Sequence, residues 1–208
     1  MRFLTLSFLL ILAFTSVNAQ GVIYFQNPKT FEYGPRVGFS TAMVNPEDRS
    51  DFGNSQVRLG IVAGLFGRYQ LNERWSIQGD LTYAERGGNF KEADDLKLAY
   101  LDVPLTLAFN VRFKIKETPL TFDIFGGLQP SFLLNAEAAQ VDVTENFKST
   151  TFDLVLGSGF PIKRFLFYAT TKIALTNLED SSLFEGSNSL KGFSTEWTVS
   201  YRLNGVSE

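Results

Sequence analysis

Large apolar residues alternate with small or polar residues along most of the chain. A period of two is that of a β-strand, whose successive side chains point to opposite faces. Almost no stretch shows helical spacing, so we predict an all-β protein. The eight predicted strands cover residues 33–44, 57–71, 75–86, 98–113, 120–135, 150–160, 165–177 and 193–203.

The connections between these strands have two lengths, which alternate strictly. The short ones are 72–74, 114–119 and 161–164, and the long polar ones, in which acidic residues outnumber basic ones, are 45–56, 87–97, 136–149 and 178–191. This order is typical of an up-and-down antiparallel meander. Pro104 and Pro130 fall inside predicted strands, where each removes a hydrogen-bond donor, and we expect them to mark bulges.

The composition of the two faces decides between a soluble and a membrane barrel. One face is large and nearly uncharged, with aromatic residues near the strand ends, and the other carries Gly, Ser, Thr and charge. Eight strands enclose a space that side chains just fill, and the large face would overfill it. We therefore predict an eight-stranded antiparallel up-and-down transmembrane β-barrel with a filled polar lumen. A soluble, lipocalin-like barrel is the alternative.

Charged residues recur on the small-residue face, where they would point into the barrel. An unpaired ion is costly to bury, so each charge is expected to find a partner. Asp80 lies diagonally from Arg68 across two strands, and we predict that they pair. We interpret the row as a packed core of ion pairs, with an ion or substrate path as the alternative. The predicted lumen charge network comprises Arg36, Arg58, Arg68, Asp80, Arg86, Asp102, Asp123, Asp153, Lys172, Glu196 and Arg202.

The first nineteen residues have the order of a secretory signal peptide. Arg2 provides a positive charge, an apolar run follows from Phe3 to Phe14, and Val17 and Ala19 form a small-residue cleavage site. The run makes about 18 Å of helix, too short for the roughly 30 Å of a bilayer core. We predict cleavage after Ala19. The predicted organisation is a signal peptide (1–19), a lead-in (20–31), the barrel (32–203) and a short tail (204–208).

The chain has neither Cys nor His, which excludes most catalytic chemistry. Without them there is no disulfide, thiolate nucleophile, imidazole base or imidazole zinc ligand. The formal net charge of −3 argues against the basic surface that nucleic acids require. We therefore expect no enzyme activity, no catalytic residue, no cofactor, no metal site and no nucleic-acid partner.

Four segments resemble the PorT-like outer-membrane β-barrel proteins of Bacteroidota. They are Gly34–Ser40, Tyr69–Tyr83, Tyr100-Leu-Asp-Val-Pro-Leu105 and Ala174–Asn177, of which the third is the most telling. The resemblance extends over residues 32–203 and implies an eight-stranded outer-membrane barrel. Because some members serve the type IX secretion system, it also implies a connection with the export of secreted proteins.

These observations together predict a structural, assembly or secretion-associated component of the cell envelope, located in the outer membrane. An even number of strands entered from the periplasm leaves both termini periplasmic and the four long loops at the cell surface. The expected partners are outer-membrane lipid, lipopolysaccharide, and envelope or secretion-system proteins. A small pore or a ligand-binding, porin-like barrel is the alternative function.

Overall fold

The computed structural model describes residues 30–46, 57–88, 96–115, 118–138, 140–178 and 190–204. Within these ranges the chain forms a closed antiparallel β-barrel with eight wall strands, which confirms the predicted fold. The strands are β1 (Phe31–Pro46), β2 (Arg58–Gln70), β3 (Trp75–Gly88), β4 (Leu96–Asp102), β5 (Leu105–Ile115), β6 (Thr118–Ala138), β7 (Val141–Asp142), β8 (Thr150–Ile162), β9 (Phe165–Ala174) and β10 (Leu190–Tyr201). β4 and β5 together make the fourth wall strand, and β7 is a two-residue strand beside β6.

The first strand closes the barrel by pairing on both of its edges. Phe39 of β1 lies opposite Ile61 of β2 and opposite Trp197 of β10, and both pairings are antiparallel. A closed sheet leaves no exposed edge, which a strand in a bilayer requires because no water is available there. Among the described residues, no helix is long and apolar enough to cross a membrane.

The break between β4 and β5 has its cause in two prolines. Val103 is opposite Pro130, and Pro104 is opposite Asp80, so each proline removes one ladder donor at the same place. The bonds that remain run from the Val103 N–H to the Pro130 carbonyl (3.0 Å) and from the Asp80 N–H to the Pro104 carbonyl (3.1 Å). The predictions of bulges at Pro104 and Pro130 are both wrong, because the strand register is the same before and after each proline. The register shift lies further along, between Ala99 and Tyr100.

The two faces of the wall differ as the sequence predicts. Large apolar side chains such as Phe39 (50% exposed) and Leu105 (61% exposed) cover the outside. Polar, charged and small side chains fill much of the inside, where Asp102 and Asp123 are completely buried. An apolar cluster of Phe66, Leu166 and Tyr168 is also buried there, which the sequence analysis did not predict. An apolar outside and a polar inside are the arrangement of a membrane barrel.

The barrel has two unlike ends, which we name for their connections. The turn end carries the short connections 72–74 and 163–164 together with the first and last described residues, and the loop end carries the long connections. At the loop end β6 continues past its predicted limit of 135, because it pairs there with β4 and β7. β9 instead stops at Ala174 rather than at 177, since the chain bends and buries Leu178.

Several sequence predictions lie outside the described residues. They include the signal peptide (1–19), the lead-in as far as residue 29, the tail from residue 205, and segments 47–56, 89–95 and 179–189 of the long loops. The other strand bounds differ from the predicted ones by a few residues.

A charge on the outer wall should be costly in proportion to its depth. Leu105→Arg, near the middle of the fourth wall strand, should lower the free energy of unfolding by about 2–4 kcal/mol. Leu71→Arg, at an exposed position of the turn end, should cost about 0–1 kcal/mol because the penalty falls towards the interface. Urea titration of the refolded protein in lipid vesicles measures both values. Equal costs at the two positions would contradict a lipid-facing outer wall.

Candidate functional site

The predicted charge network occupies the interior of the barrel. Nine of its eleven residues are buried, and Arg86 is nearly so. Arg58 is half-buried at the loop end, with its side chain beside Gly87. Ion pairs lie in three layers along the barrel axis, and we describe them from the turn end upwards.

The lowest pair joins Arg202, just after β10, to Glu32 at the start of β1, with Nη1 and Oε1 2.9 Å apart. The predicted network did not include Glu32. This residue is the first of the predicted barrel and precedes the first predicted strand (33–44), so the alternation of side chains did not assign it to a face. Asn204 lies beside this pair, and its side chain bonds to the Tyr33 N–H (3.2 Å) and to the Phe31 carbonyl. The two ends of the barrel sequence are therefore held together at the turn end.

Arg68 is the centre of the next group and has a partner for each of its nitrogens. Nη1 donates to Asp123 (2.6 Å) and to the Tyr168 hydroxyl (2.9 Å), Nε donates to Ser76 (3.0 Å), and Nη2 donates to Asn110. The predicted pairing of Arg68 with Asp80 is wrong. The lumen is narrow enough for a long side chain to reach the opposite wall, so Arg68 reaches β6 rather than its diagonal neighbour.

Asp80 instead pairs with Arg36 of β1. Arg36 also donates from Nε to Ser200 (2.8 Å), and Gln78 donates to Asp80 (3.1 Å). The Arg36 guanidinium carbon lies 5.1 Å from the centre of the Tyr168 ring, within the range of a cation–π interaction. The ring therefore contributes to both groups, bonding to Arg68 through its hydroxyl and contacting Arg36 through its face.

Two glycines of β8 make room for the rings that lie between these groups. A Cβ at Gly159 would overlap the Tyr168 ring, and a Cβ at Gly157 would overlap the Phe125 ring. The two rings meet edge to face, with their centres 5.3 Å apart. The absence of side chains at Gly157 and Gly159 therefore leaves the space that the Phe125 and Tyr168 rings occupy.

The upper group is built around Asp102, which is completely buried in β4. Asp102 accepts from Arg86 and from the Lys172 ammonium (2.9 Å). Lys172 also pairs with Glu196 (2.5 Å), and Arg86 with Asp153 (3.0 Å), so five charges from five strands form one cluster. Buried ions in such a cluster are stable only together, because each would be costly to leave alone.

An apolar cap lies above this cluster at the loop end. Leu96, Leu98, Tyr100, Ala136, Phe147 and Leu178 are all buried there against one another. Phe147 comes from the connection between β7 and β8 and points back onto the barrel, and the Lys148 N–H bonds to the Leu178 carbonyl (2.8 Å). Leu96, Leu98 and Tyr100 share the inward parity of Asp102. The sequence therefore contained the information that these three side chains point inwards. It was missed because the predicted strand began at 98 and its apolar face was assigned only from Leu101.

A short 3₁₀ helix (Thr144–Asn146) keeps the segment before Phe147 in place. The Thr144 hydroxyl donates to Asp142 (2.6 Å) and accepts from the Ala136 N–H (2.9 Å), while the Thr144 N–H also donates to Asp142 (2.9 Å). These two donations lower the pKa of the Asp142 carboxyl from its ordinary value.

A cavity of ≈ 20 Å³, bordered by Arg86, Tyr100, Asp153 and Lys172 beneath the cap, has room for about one water molecule. In the part of the chain that the structure describes, no three acidic side chains are arranged to hold a metal ion. The ion pairs link strands across the lumen and thereby brace the wall.

Comparisons with known proteins agree with this geometry. The family model described as "Outer membrane protein beta-barrel domain" matches residues 18–180. Neisserial surface protein A is 11% identical, with a TM-score of 0.52, and the similarity covers 85% of this chain and 99% of that one. At this identity the likeness shows the fold alone.

Two further solved structures are similar at lower TM-scores. The attachment invasion locus protein Ail of Yersinia pestis is 17% identical (TM-score 0.42; 82% of this chain, 97% of that one). The outer membrane protein OprG of Pseudomonas aeruginosa is 15% identical (TM-score 0.43; 86% and 97%). No curated protein matches the chain.

Removing one member of a buried pair should be far more damaging than removing one member of an exposed pair. Asp123→Asn leaves the Arg68 charge without its counter-ion and should cost about 3–5 kcal/mol of unfolding free energy. Glu85→Gln removes the more exposed bridge to Lys97 (3.0 Å) and should cost about 0–1 kcal/mol. Denaturant titrations of both variants, of Arg68→Met, and of Arg68→Met combined with Asp123→Asn measure these costs. If the double variant loses as much stability as the two single variants lose together, Arg68 and Asp123 are not coupled, which would contradict the account.

The contact between Asp142 and Thr144 should respond to pH in a defined direction. The pKa of Asp142 is lower in the folded protein than its ordinary value. The contact therefore contributes fully to stability above the ordinary carboxyl pKa, and this contribution is lost as the pH falls through the lowered pKa. Thr144→Val should return the Asp142 pKa towards its ordinary value, which an NMR pH titration of that carboxyl detects. An unchanged titration in the variant would contradict the role of Thr144.

Proposed function

We propose, since the chain belongs to the outer membrane protein beta-barrel domain family, that it is a non-enzymatic component of the outer membrane which acts through protein–protein contacts. Its role is structural, or in assembly or secretion. The signal peptide over 1–19 directs it across the inner membrane, and both termini lie in the periplasm. The loop end then faces the cell surface.

One observation carries this proposal, namely that the lumen is filled and closed. Three layers of ion pairs occupy it, and the Phe147 cap covers its loop end. The cavity beneath the cap, at ≈ 20 Å³, is far smaller than the sites that small ligands occupy. Recognition therefore falls to the surfaces at the two ends of the barrel.

The PorT-like segment Tyr100–Leu105 supports a narrower assignment. Its Tyr100 ring lies 5.2 Å from the Arg86 guanidinium, its Asp102 binds two cations, and its Pro104 forms part of the break between β4 and β5. The segment thus supplies three structural parts of the upper lumen. We assign the chain to the PorT-like barrels of Bacteroidota and its role to type IX-like protein export.

The expected partners follow from the surfaces. The apolar outer wall contacts outer-membrane lipid and, at the loop end, lipopolysaccharide. Envelope or secretion-system proteins bind the loop end, where described acidic residues such as Glu137, Asp142 and Glu145 are accessible. A lipid-facing wall offers fewer polar groups for specific recognition than these exposed loops.

The filled lumen should not conduct ions appreciably. Purified protein in planar bilayers should show no stable ohmic steps, because no continuous aqueous path passes the three layers of ion pairs. Phe147→Ala should remain as silent as the parent protein, since the Arg86 and Lys172 layer below it is intact. Large, stable steps from the parent protein would revive the small pore as the function.

Exchange of the loop-end surface should remove partner binding and leave the fold intact. Replacement of the exposed residues Val141 and Glu145 by Ser, with Asp142 and Phe147 kept, should abolish specific cross-links in native outer membranes, as measured by mass spectrometry. The matched control replaces 72–74 at the turn end by Ser. Retention of every cross-link in the first variant and loss in the control would move the binding surface to the periplasm.

A further inference from the structure

The two-residue connection between β8 and β9 presents two cations at the turn end. Lys163 and Arg164 are both exposed and follow Ile162, which lies opposite Phe165 in the hairpin. Lys163 has a φ of 52°, in the left-handed region, so the tight turn holds both side chains at the rim of the barrel. Neither residue belongs to the lumen network.

Arg164 is directed along the outer wall. Its Nη1 lies 3.4 Å from the Tyr201 hydroxyl oxygen, and the Tyr201 ring packs against the Phe165 ring at 5.3 Å. The row continues through Phe167 to Phe160, with ring centres 6.4 Å and 5.4 Å apart. A cation therefore stands at the end of a continuous strip of aromatic rings on the lipid-facing surface.

Arg202, which lies next to Arg164, points into the barrel and forms an ion pair with Glu32. The Arg202 N–H bonds to the Arg164 carbonyl (2.8 Å), yet the Arg202 side chain turns inwards and pairs with Glu32. Arg74, on the other short turn, is also exposed, and its neighbour Glu73 is half-buried. Among the described residues, exposed charge at the turn end is thus mainly positive.

The position of these cations matches the plane of lipid phosphates. Tyr and Phe rings collect where hydrocarbon gives way to headgroups, and basic side chains beside them reach the phosphates. Anionic lipid attracts each such residue by about 1 kcal/mol, or about fivefold in an equilibrium constant. The described loop end carries the acidic residues Glu137, Asp142 and Glu145 beside Lys97 and Lys148, so its charge attracts anionic phospholipid less than that of the turn end.

We propose that Lys163 and Arg164, with the ring strip of Tyr201, Phe165, Phe167 and Phe160, form a docking site for the headgroup of an anionic phospholipid. The two cations bind the phosphate, and the rings hold the upper acyl chains. The site needs only that the wall faces lipid and is independent of the partner proposed at the loop end.

Folding into vesicles of defined composition tests this site. The purified protein is titrated with urea in phosphatidylcholine vesicles and in vesicles that also contain phosphatidylglycerol. Phosphatidylglycerol should raise the ratio of folded to unfolded protein, and Lys163→Gln with Arg164→Gln should remove most of that gain, about fivefold per cation. The gain in the parent protein should shrink at high salt, because the contact is electrostatic.

A matched control removes two cations from the loop end, by Lys97→Gln with Lys148→Gln. This variant should keep the gain from phosphatidylglycerol. An equal loss in both double variants would overturn the proposal in favour of a general effect of net charge. No gain in the parent protein, or a gain that salt does not change, would also overturn it, even if the turn variant failed to fold. Binding of an acidic soluble protein with no preference for phosphatidylglycerol would assign the cations to a protein partner instead.

Discussion

Asp102 is completely buried with two cations against it, and the interior of this barrel depends on contacts of that kind. Eight strands leave a lumen only as wide as the side chains in it, so an ion there has no bulk water to hydrate it. It must meet an ion of opposite charge on another strand, and each such contact links two parts of the wall. Arg68, for example, connects β2 to β5, β6 and β9. Most large apolar side chains cover the outside, and those inside form two clusters, one around Phe66 and Tyr168 and one beneath Phe147.

The alternation of side chains made the strands and their faces predictable, because a period of two specifies both at once. Partners across the lumen were not predictable, since strand register compares only neighbouring strands. Lys172 and Glu196, by contrast, are diagonal neighbours on paired strands. The diagonal rule joined Arg68 to Asp80, whereas long side chains in a closed narrow barrel meet across the axis. Contacts at the two ends of the barrel were also not predicted. Glu32 lies before the first predicted strand, and Phe147 belongs to a connecting segment that folds back over the lumen. Pro130 showed that a proline in a strand can break the ladder of its neighbour and leave its own register intact.

A lumen filled with ion pairs gives the protein a rigid wall and two surfaces of different chemistry. The Phe147 cap and the exposed acidic residues define the loop end, whereas the turn end carries exposed cations beside aromatic rings. Such a molecule is oriented along its axis, and each end faces a different environment. In this account, binding of partner proteins falls to the loop end, and anionic lipid binds at the turn end.

The central claim is that the lumen charges are locked in pairs from which water is excluded. Arginine side-chain NMR of the protein in lipid nanodiscs tests it directly through the exchange of Nε–H protons with solvent. The Nε–H groups of Arg36 and Arg68, which bond to Ser200 (2.8 Å) and Ser76 (3.0 Å), should exchange far more slowly than those of exposed Arg74 and Arg164. Equally fast exchange at all four arginines would show a hydrated, mobile lumen and contradict the account.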